Sequence, residues 1–157
     1  MKAAVLTVSD RASAGGLSDE SGPAVARLLA EAGFQVSSVA VVPDEVDRIA
    51  GFLLARCEDH NLVVTTGGTG LGPRDRTPEA TRGLLDYEVP GLAELMRSAG
   101  FAKTPLAALS RSLAGVRGRT LIVNLPGSLK GATESLEAIL PVLGHATRLL
   151  RGETEHR

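Results

Sequence analysis

The stretch Val63-Val64-Thr65-Thr66-Gly67-Gly68-Thr69-Gly70-Leu71-Gly72-Pro73-Arg74-Asp75-Arg76-Thr77-Pro78-Glu79-Ala80 runs from an apolar, β-branched segment into a glycine-rich loop and on to a helix start. Residues without Cβ let backbone N–H groups approach an anion closely, and the threonine hydroxyls add donors to the same cradle. Asp75 brings a carboxylate to a loop that would otherwise suit phosphate. A bridging divalent cation reconciles the two, so the loop and Asp75 together read as a metal–nucleotide site. Two common phosphate loops are excluded. The P-loop ends in Gly-Lys-Ser/Thr, and no lysine lies here; Pro73 stands where the dinucleotide fingerprint needs its third glycine. The alternative is a tight strand-to-helix turn needing several positive φ angles; four glycines, three threonines and an aspartate within eleven residues favour a functional loop.

Working outward, apolar runs recur with the length of buried strands. Residues 3–8, the valine-rich 34–42 and 62–65 form one set; 105–116 and 120–124 read as two further strands joined across Gly118. Between them lie helical patterns. Pro23 opens a helix carrying Val25, Leu28, Leu29 and Ala32 on one face, and Gly33 ends it. Pro43-Asp44 begins a second, with Val46, Ile49, Ala50, Leu53 and Cys57 in register. Thr77-Pro78 offers a capping threonine followed by a first-turn proline. Residues 91–99 carry Leu92, Leu95, Met96 and Ala99. The last helix bears Leu136, Ile139, Leu140, Leu143, Thr147 and Leu150, with a kink or break expected at Pro141. Residues 9–22 read as a loop and 152–157 as a frayed polar tail.

Alternation of apolar strands with helices predicts an α/β fold with a mostly parallel sheet covered on both faces, in a single domain over residues 1–157. Ligands in such folds gather beyond the carboxyl ends of the strands. Those ends carry Ser9 and Asp10, Asp44, the loop over Thr66, Gly67, Gly68, Thr69 and Gly70, and the turn Asn124-Leu125-Pro126-Gly127-Ser128. Two small-residue loops at neighbouring strand ends suit a ligand with two separated phosphate groups, and Asp44 and Asp75 can share one Mg²⁺. Asp44 also stands where an N-cap of the following helix belongs. Ser110-Arg111 pairs a hydroxyl with a guanidinium, a natural anion contact, although the residues alone favour plain surface placement.

Composition narrows the partners. Net charge is −1 and aromatics make up 3% of 157 residues, which argues against nucleic acid and membrane surfaces. A single cysteine excludes an internal disulfide, and Cys57 reads as an inert apolar residue. His60, His145 and His156 have no ligand spacing, and no histidine accompanies a serine in a nucleophilic arrangement. Chemistry here rests on positioning and charge neutralisation. No run suits a signal peptide or a membrane span, so a cytoplasmic protein is the expectation.

Thr7-Val8-Ser9-Asp10, Val42-Pro43-Asp44-Glu45, Thr66-Gly67-Gly68-Thr69-Gly70, Asp75-Arg76-Thr77-Pro78-Glu79-Ala80, Ser110-Arg111 and Asn124-Leu125-Pro126-Gly127 follow one another in this order. Together they resemble the molybdopterin-binding domain family of molybdenum cofactor biosynthesis, which includes the bacterial Mog and MoaB proteins, the gephyrin G domain and its plant counterpart. The resemblance spans essentially the whole chain. It implies a three-layer α/β/α fold, a homotrimer, and adenylyl transfer from Mg-ATP to molybdopterin, with the product passed to a metal-insertion protein. It implies that Asp44 and Asp75 are the catalytic, Mg²⁺-handling carboxylates and that residues 66–70 bind phosphates. Ser110, Arg111, Asn124, Pro126, Gly127 and Ser128 would line the pterin side, with Ser9 and Asp10 nearby. The alternative within the family is a MoaB-type protein that binds molybdopterin with weak or no transfer. Two positions depart from the common pattern: Leu129 replaces a proline, and Arg76 replaces a small apolar residue.

Overall fold

Three parallel strands, Lys2–Val8, Leu62–Thr66 and Thr120–Leu125, build the centre of the molecule, because they are buried toward both faces and find a helix layer on each, while the fourth parallel strand, Gln35–Val42, lies at the edge with alternate residues exposed. The computed structural model describes residues 1–153. In chain order these fold as β1 (Lys2–Val8), α1 (Asp10–Ser13), α2 (Ser21–Glu31), β2 (Gln35–Val42), α3 (Val46–Cys57), β3 (Leu62–Thr66) and α4 (Thr77–Arg82). There follow β4 (Tyr87–Glu88), α5 (Pro90–Phe101), a 3₁₀ turn (Pro105–Leu109), β5 (Ala114–Arg117), β6 (Thr120–Leu125) and α6 (Leu129–Leu150). The sheet order is β2-β1-β3-β6-β5-β4. β1 pairs in parallel with β2 and β3, and β3 with β6; β5 and β4 close the sheet antiparallel.

One core packs α2, α5 and α6 against Ala3, Val5, Leu62, Val64, Leu121 and Val123. The other packs α3 and α4 against Leu6, Val8, Val63 and Ile122. The three layers expected from the family resemblance are therefore present. Register also aligns the strand ends: Val8 lies beside Val42, Thr7 beside Thr66, and Thr66 beside Leu125. All four loops that follow leave from one edge of the sheet.

Several local expectations are corrected. The loop over residues 9–22 contains the short helix α1, because the Ser9 hydroxyl accepts a hydrogen bond from the Ala12 amide and caps it. The next helix begins at Ser21, two residues before Pro23, where Asp19 accepts from the Gly22 amide. Residues 105–116 are not one strand. Thr104 caps the Leu106 amide, Pro105 starts a 3₁₀ turn, and extended pairing resumes only at Ala114. α6 runs through Pro141 without a break; that proline faces solvent, where water can take the carbonyl its missing N–H leaves free. Edge strand β4 was not anticipated, since two exposed residues carry no periodicity. Cys57, on the apolar stripe of α3, is half-buried, and burial pushes its thiol up. The expectation of a frayed tail over 152–157 concerns mainly residues 154–157, among them His156, which lie outside the described residues.

His60 is also better connected than its spacing suggests. Its Nε2 meets Ser37 Oγ at 2.5 Å and its Nδ1 meets Asp59 Oδ1 at 2.7 Å, while Asp59 also binds Lys2. A serine–histidine–aspartate contact therefore exists, contrary to the sequence reading. It ties α3 to the amino ends of β1 and β2, at the opposite edge from the aligned loops, and serves as a structural tie.

Candidate active site

The glycine loop is shaped by its neighbours. Gly67 (φ +93°) and Gly68 (φ +69°) take backbone conformations that L side chains rarely adopt. The Gly67 amide donates to the Leu125 carbonyl at 3.0 Å, the Thr77 amide to Gly68 at 3.1 Å, and the Arg111 amide to Thr69 at 2.8 Å. The amides of Gly68, Thr69 and Gly70 have no partner among the described residues. They remain available to an anion.

Two clefts open on either side of this loop. One, of about 470 Å³, is lined by Ser9, Asp19, Ser21, Asp44, Thr66 and Gly67 among others. The second, of about 460 Å³, is lined by Met96, Leu106, Leu109, Ser110, Pro126 and Glu134 among others. Gly68, Asp75, Gly127 and Ser128 border both. The first wall is rich in hydroxyls and carboxylates; the second alternates aliphatic surface with serines.

Asp44 and Asp10 hold each other. The Asp10 amide donates to Asp44 Oδ2 and the Asp44 amide to Asp10 Oδ1, both at 2.9 Å. Asp44 is thus no side-chain cap for α3, whose N-cap Glu45 makes no side-chain bond; its carboxylate reaches back to the start of α1 instead. Arg74 grips Asp10 with two bonds of 3.0 Å. That fork, with the Asp44 amide, holds the Asp10 carboxyl below the usual carboxylate range. Asp44 moves the other way: burial pushes it up, and the charges of Asp10 and Asp75 add to the rise, against the opposing Asp10 amide and Arg74. Asp75 accepts from the Gly72 amide through Oδ2 at 2.9 Å.

Arg111 is a strut. Its Nε donates to the Gly70 carbonyl and Nη2 to the Asp75 carbonyl, both at 2.8 Å, while Nη1 pairs with Glu79 Oε1. Burial pushes Glu79 up, but the Arg111 bond, the Glu79 amide and the charges of Arg111 and Arg76 together outweigh it and leave that carboxyl below its ordinary range. The guanidinium is committed to the loop's carbonyls, so it shapes the phosphate cradle rather than adding a free fork to it. Asn124 is likewise beneath the site. It is fully buried, donates to Thr65 and Thr81 hydroxyls at 3.0 Å, and leaves its Oδ1 without a partner among the described residues. Thr77 does not cap α4, since its buried hydroxyl has no partner among the described residues.

Ser9 and Ser128 both line the first cleft, each with a hydroxyl spent on a helix cap. Ser110 faces the second cleft and bonds Ser112 at 3.1 Å. The sequence reading missed Asp19, Ser21, Met96, Ser112 and Glu134 as cleft residues. Asp19 was findable, as an aspartate three residues before Gly22 with Pro23 following is a helix-start signature.

Residues 4–145 match the family described as "Probable molybdopterin binding domain". The chain belongs to that family. It is 43% identical to "Molybdopterin adenylyltransferase" of Helicobacter pylori, over 94% of this chain and 86% of that protein. The crystal structure of "Molybdopterin biosynthesis enzyme MoaB" from Thermus thermophilus superposes with a TM-score of 0.91 at 57% identity, covering 96% of each chain. "Gephyrin" of Dictyostelium discoideum is 38% identical over 95% of this chain but only 22% of its own length.

The family resemblance implies Mg²⁺, and the donor set fits it. Asp44 Oδ1 and Asp75 Oδ1 make no hydrogen bond among the described residues, both residues border one cleft, and a cation would offset the burial that chiefly lifts Asp44 and the Asp10 and Asp75 charges that add to the rise. Gly68 keeps the way open, since a Cβ there would come within 3.2 Å of Asp44 Oδ1. No group of three or more His, Cys, Asp or Glu side chains converges among the described residues. Ligand phosphates and water would complete such a shell, as is usual for Mg²⁺.

The strut makes a measurable prediction. Arg111→Lys cannot serve two carbonyls and Glu79 together, because an ammonium lacks the planar fork. A loss of about 1–2 kcal/mol, seen as a melting point lower by about 3–6 °C, is expected. An unchanged melting curve would show that the guanidinium bonds do not hold the loop.

Proposed function

We propose that this chain is a molybdopterin adenylyltransferase. The pterin's terminal phosphate attacks the α-phosphorus of ATP; a new P–O bond forms there, the bond from that phosphorus to the bridging oxygen breaks, and pyrophosphate leaves. The observation that carries this reading is the wall common to the two clefts, where Gly68, Asp75, Gly127 and Ser128 border both. Ligands in each cleft would bring their phosphates together beside Asp75.

The polar cleft, with Asp44 and Asp75, suits the nucleotide phosphates. The cleft walled by Met96, Leu106 and Leu109 suits a flat pterin ring. Free amides of residues 68–70 and the N-terminus of the 22-residue helix α6 face developing negative charge with fixed dipoles. Mg²⁺ held by Asp44 and Asp75 supplies charge neutralisation at the phosphates. A homotrimer, a cytoplasmic location and a metal-insertion protein as recipient complete this reading. Leu106 and Phe101, 70% and 60% exposed near the pterin cleft, support association, and no described helix is long and apolar enough to cross a membrane.

The second reading, a MoaB-type pterin binder, is favoured by the 57% identity to the Thermus protein. Pyrophosphate release from Mg-ATP, measured with and without molybdopterin, separates them. Pterin-dependent release supports the transferase, whereas pterin binding without release selects the binder.

Acidity provides an independent test. Asp44 must be ionised to bind a cation, and its pKa is raised, so the acid limb of turnover is expected above the ordinary carboxylate value. Arg74 lowers Asp44 through its charge. In Arg74→Ala the proton is held more tightly and the acid limb moves to higher pH, read from kcat/KM between pH 4 and 8. A limb that stays put would remove Asp44 from the ionisations that control the reaction.

A further inference from the structure

The pterin cleft contains one carboxylate that neither the phosphate cradle nor the metal pair uses. Glu134 projects from α6 at about 9 Å of helix rise beyond Ser128, toward the end of the cleft away from the shared wall. Its side chain is 24% exposed and pairs, through Oε1, with Lys103 at 3.2 Å. That lysine is 54% exposed, so the pair is weak and yields readily to a ligand. Among the described residues, the other carboxylate bordering this cleft is Asp75, at the phosphate end. Arg97, the arginine of the same wall, is tied to that wall through Nη1, which donates to the Ser110 and Ser112 carbonyls, and as a donor it cannot accept from a ligand's N–H groups.

A pterin ring ends in a 2-amino-4-oxo pyrimidine. Its N3–H and exocyclic N2–H lie side by side and point the same way, forming a two-donor edge. A carboxylate offers two acceptors at matching separation, the same complementarity that joins guanidinium to carboxylate in bidentate pairs. We propose that Glu134 is the specificity-determining residue of this cleft, accepting both hydrogen bonds from the amino-oxo edge of the pterin. This inference rests on the reading of the cleft as the pterin side. The aliphatic wall of Met96, Leu106 and Leu109 would bind many flat rings; Glu134 rejects those that place a carbonyl where the amino group belongs.

The test uses two probes, pterin and lumazine, the latter carrying a 2-oxo group in place of the 2-amino group. Binding of each to the full chain is measured by ligand-observed NMR. The parent protein is expected to prefer pterin by about 30-fold, and Glu134→Gln, which keeps the shape but turns an NH₂ toward the ring's own amino group, is expected to lose that preference. Lys103→Ala separates recognition from scaffolding. If Glu134 merely anchored Lys103, this variant would behave like Glu134→Gln; it is expected instead to keep the preference. Equal binding of the two rings by the parent, no pterin binding at all, or unchanged discrimination in Glu134→Gln would each overturn the assignment. These binding measurements stand apart from turnover. A parent protein that discriminates the rings but releases no pyrophosphate leaves Glu134 in place and removes the transferase reading alone.

Discussion

Asp75→Asn is expected to lower pterin-dependent pyrophosphate release by about 10²–10³-fold while leaving the fold intact. Asparagine matches the volume of aspartate, and its carbonyl oxygen can still accept the Gly72 amide that now bonds Asp75 Oδ2 at 2.9 Å. What disappears is one negative charge at the wall between the two clefts. Half-saturating Mg²⁺ should rise if Asp44 and Asp75 are the two carboxylates that hold it, since one of them is then gone. The melting point should stay close to the parent's. The Asp44 carboxyl should become more acidic, because the Asp75 charge is one of the causes of its rise. Normal turnover in this variant would end the assignment of Asp75 to the cation and the phosphates.

Gly67→Ala has the largest expected effect on stability. At φ +93° an L residue is strained wherever it stands, and here a Cβ would also press into the Val8 carbonyl oxygen, which belongs to the central strand β1. The strand cannot retreat, as it is paired on both sides. A loss of at least about 3 kcal/mol is expected, lowering the melting point by roughly 6–12 °C. Gly15→Ala provides the matched comparison: its φ is +79°, yet a Cβ there would meet nothing within 4 Å. That variant should lose only the conformational part, about 1–2 kcal/mol. Equal losses in the two would show that backbone strain alone, and not the approach of β1 to the loop, demands a glycine at position 67.

The contrast between what the sequence announces and what it conceals follows from the range of the interactions. β1, β3 and β6 announce themselves because burial on both faces leaves an uninterrupted apolar run, and the loops after them carry recognisable residue types. Residues 105–109 mislead for the opposite reason. Leu106 and Leu109 read as strand, but they are 70% and 51% exposed, and a capping threonine with a proline sets the local geometry. The roles of Asp44, Arg111 and Asn124 are concealed further still. Each depends on a partner brought in by the sheet: the Asp10 amide for Asp44, the Gly70 and Asp75 carbonyls for Arg111, and Thr65 and Thr81 for Asn124. Residue type suggests an anion contact for Arg111, and only the fold shows that its donors are already spent. Glu134 carried no signal at all, being one charged residue among several on a long amphipathic helix.

Strand order has a consequence for synthesis. β3 is covered on one side by β1, which is made early, and on the other by β6, which is made late. The glycine loop closes only when the Leu125 carbonyl arrives to take the Gly67 amide, and Thr65 acquires its Asn124 partner at the same moment. Until then a nascent chain presents β3 as an open apolar edge, the surface most prone to pair with another chain. A truncated product that stops before residue 120 keeps three parallel strands and exposes that edge permanently, so it is an aggregation hazard rather than a weakened version of the whole.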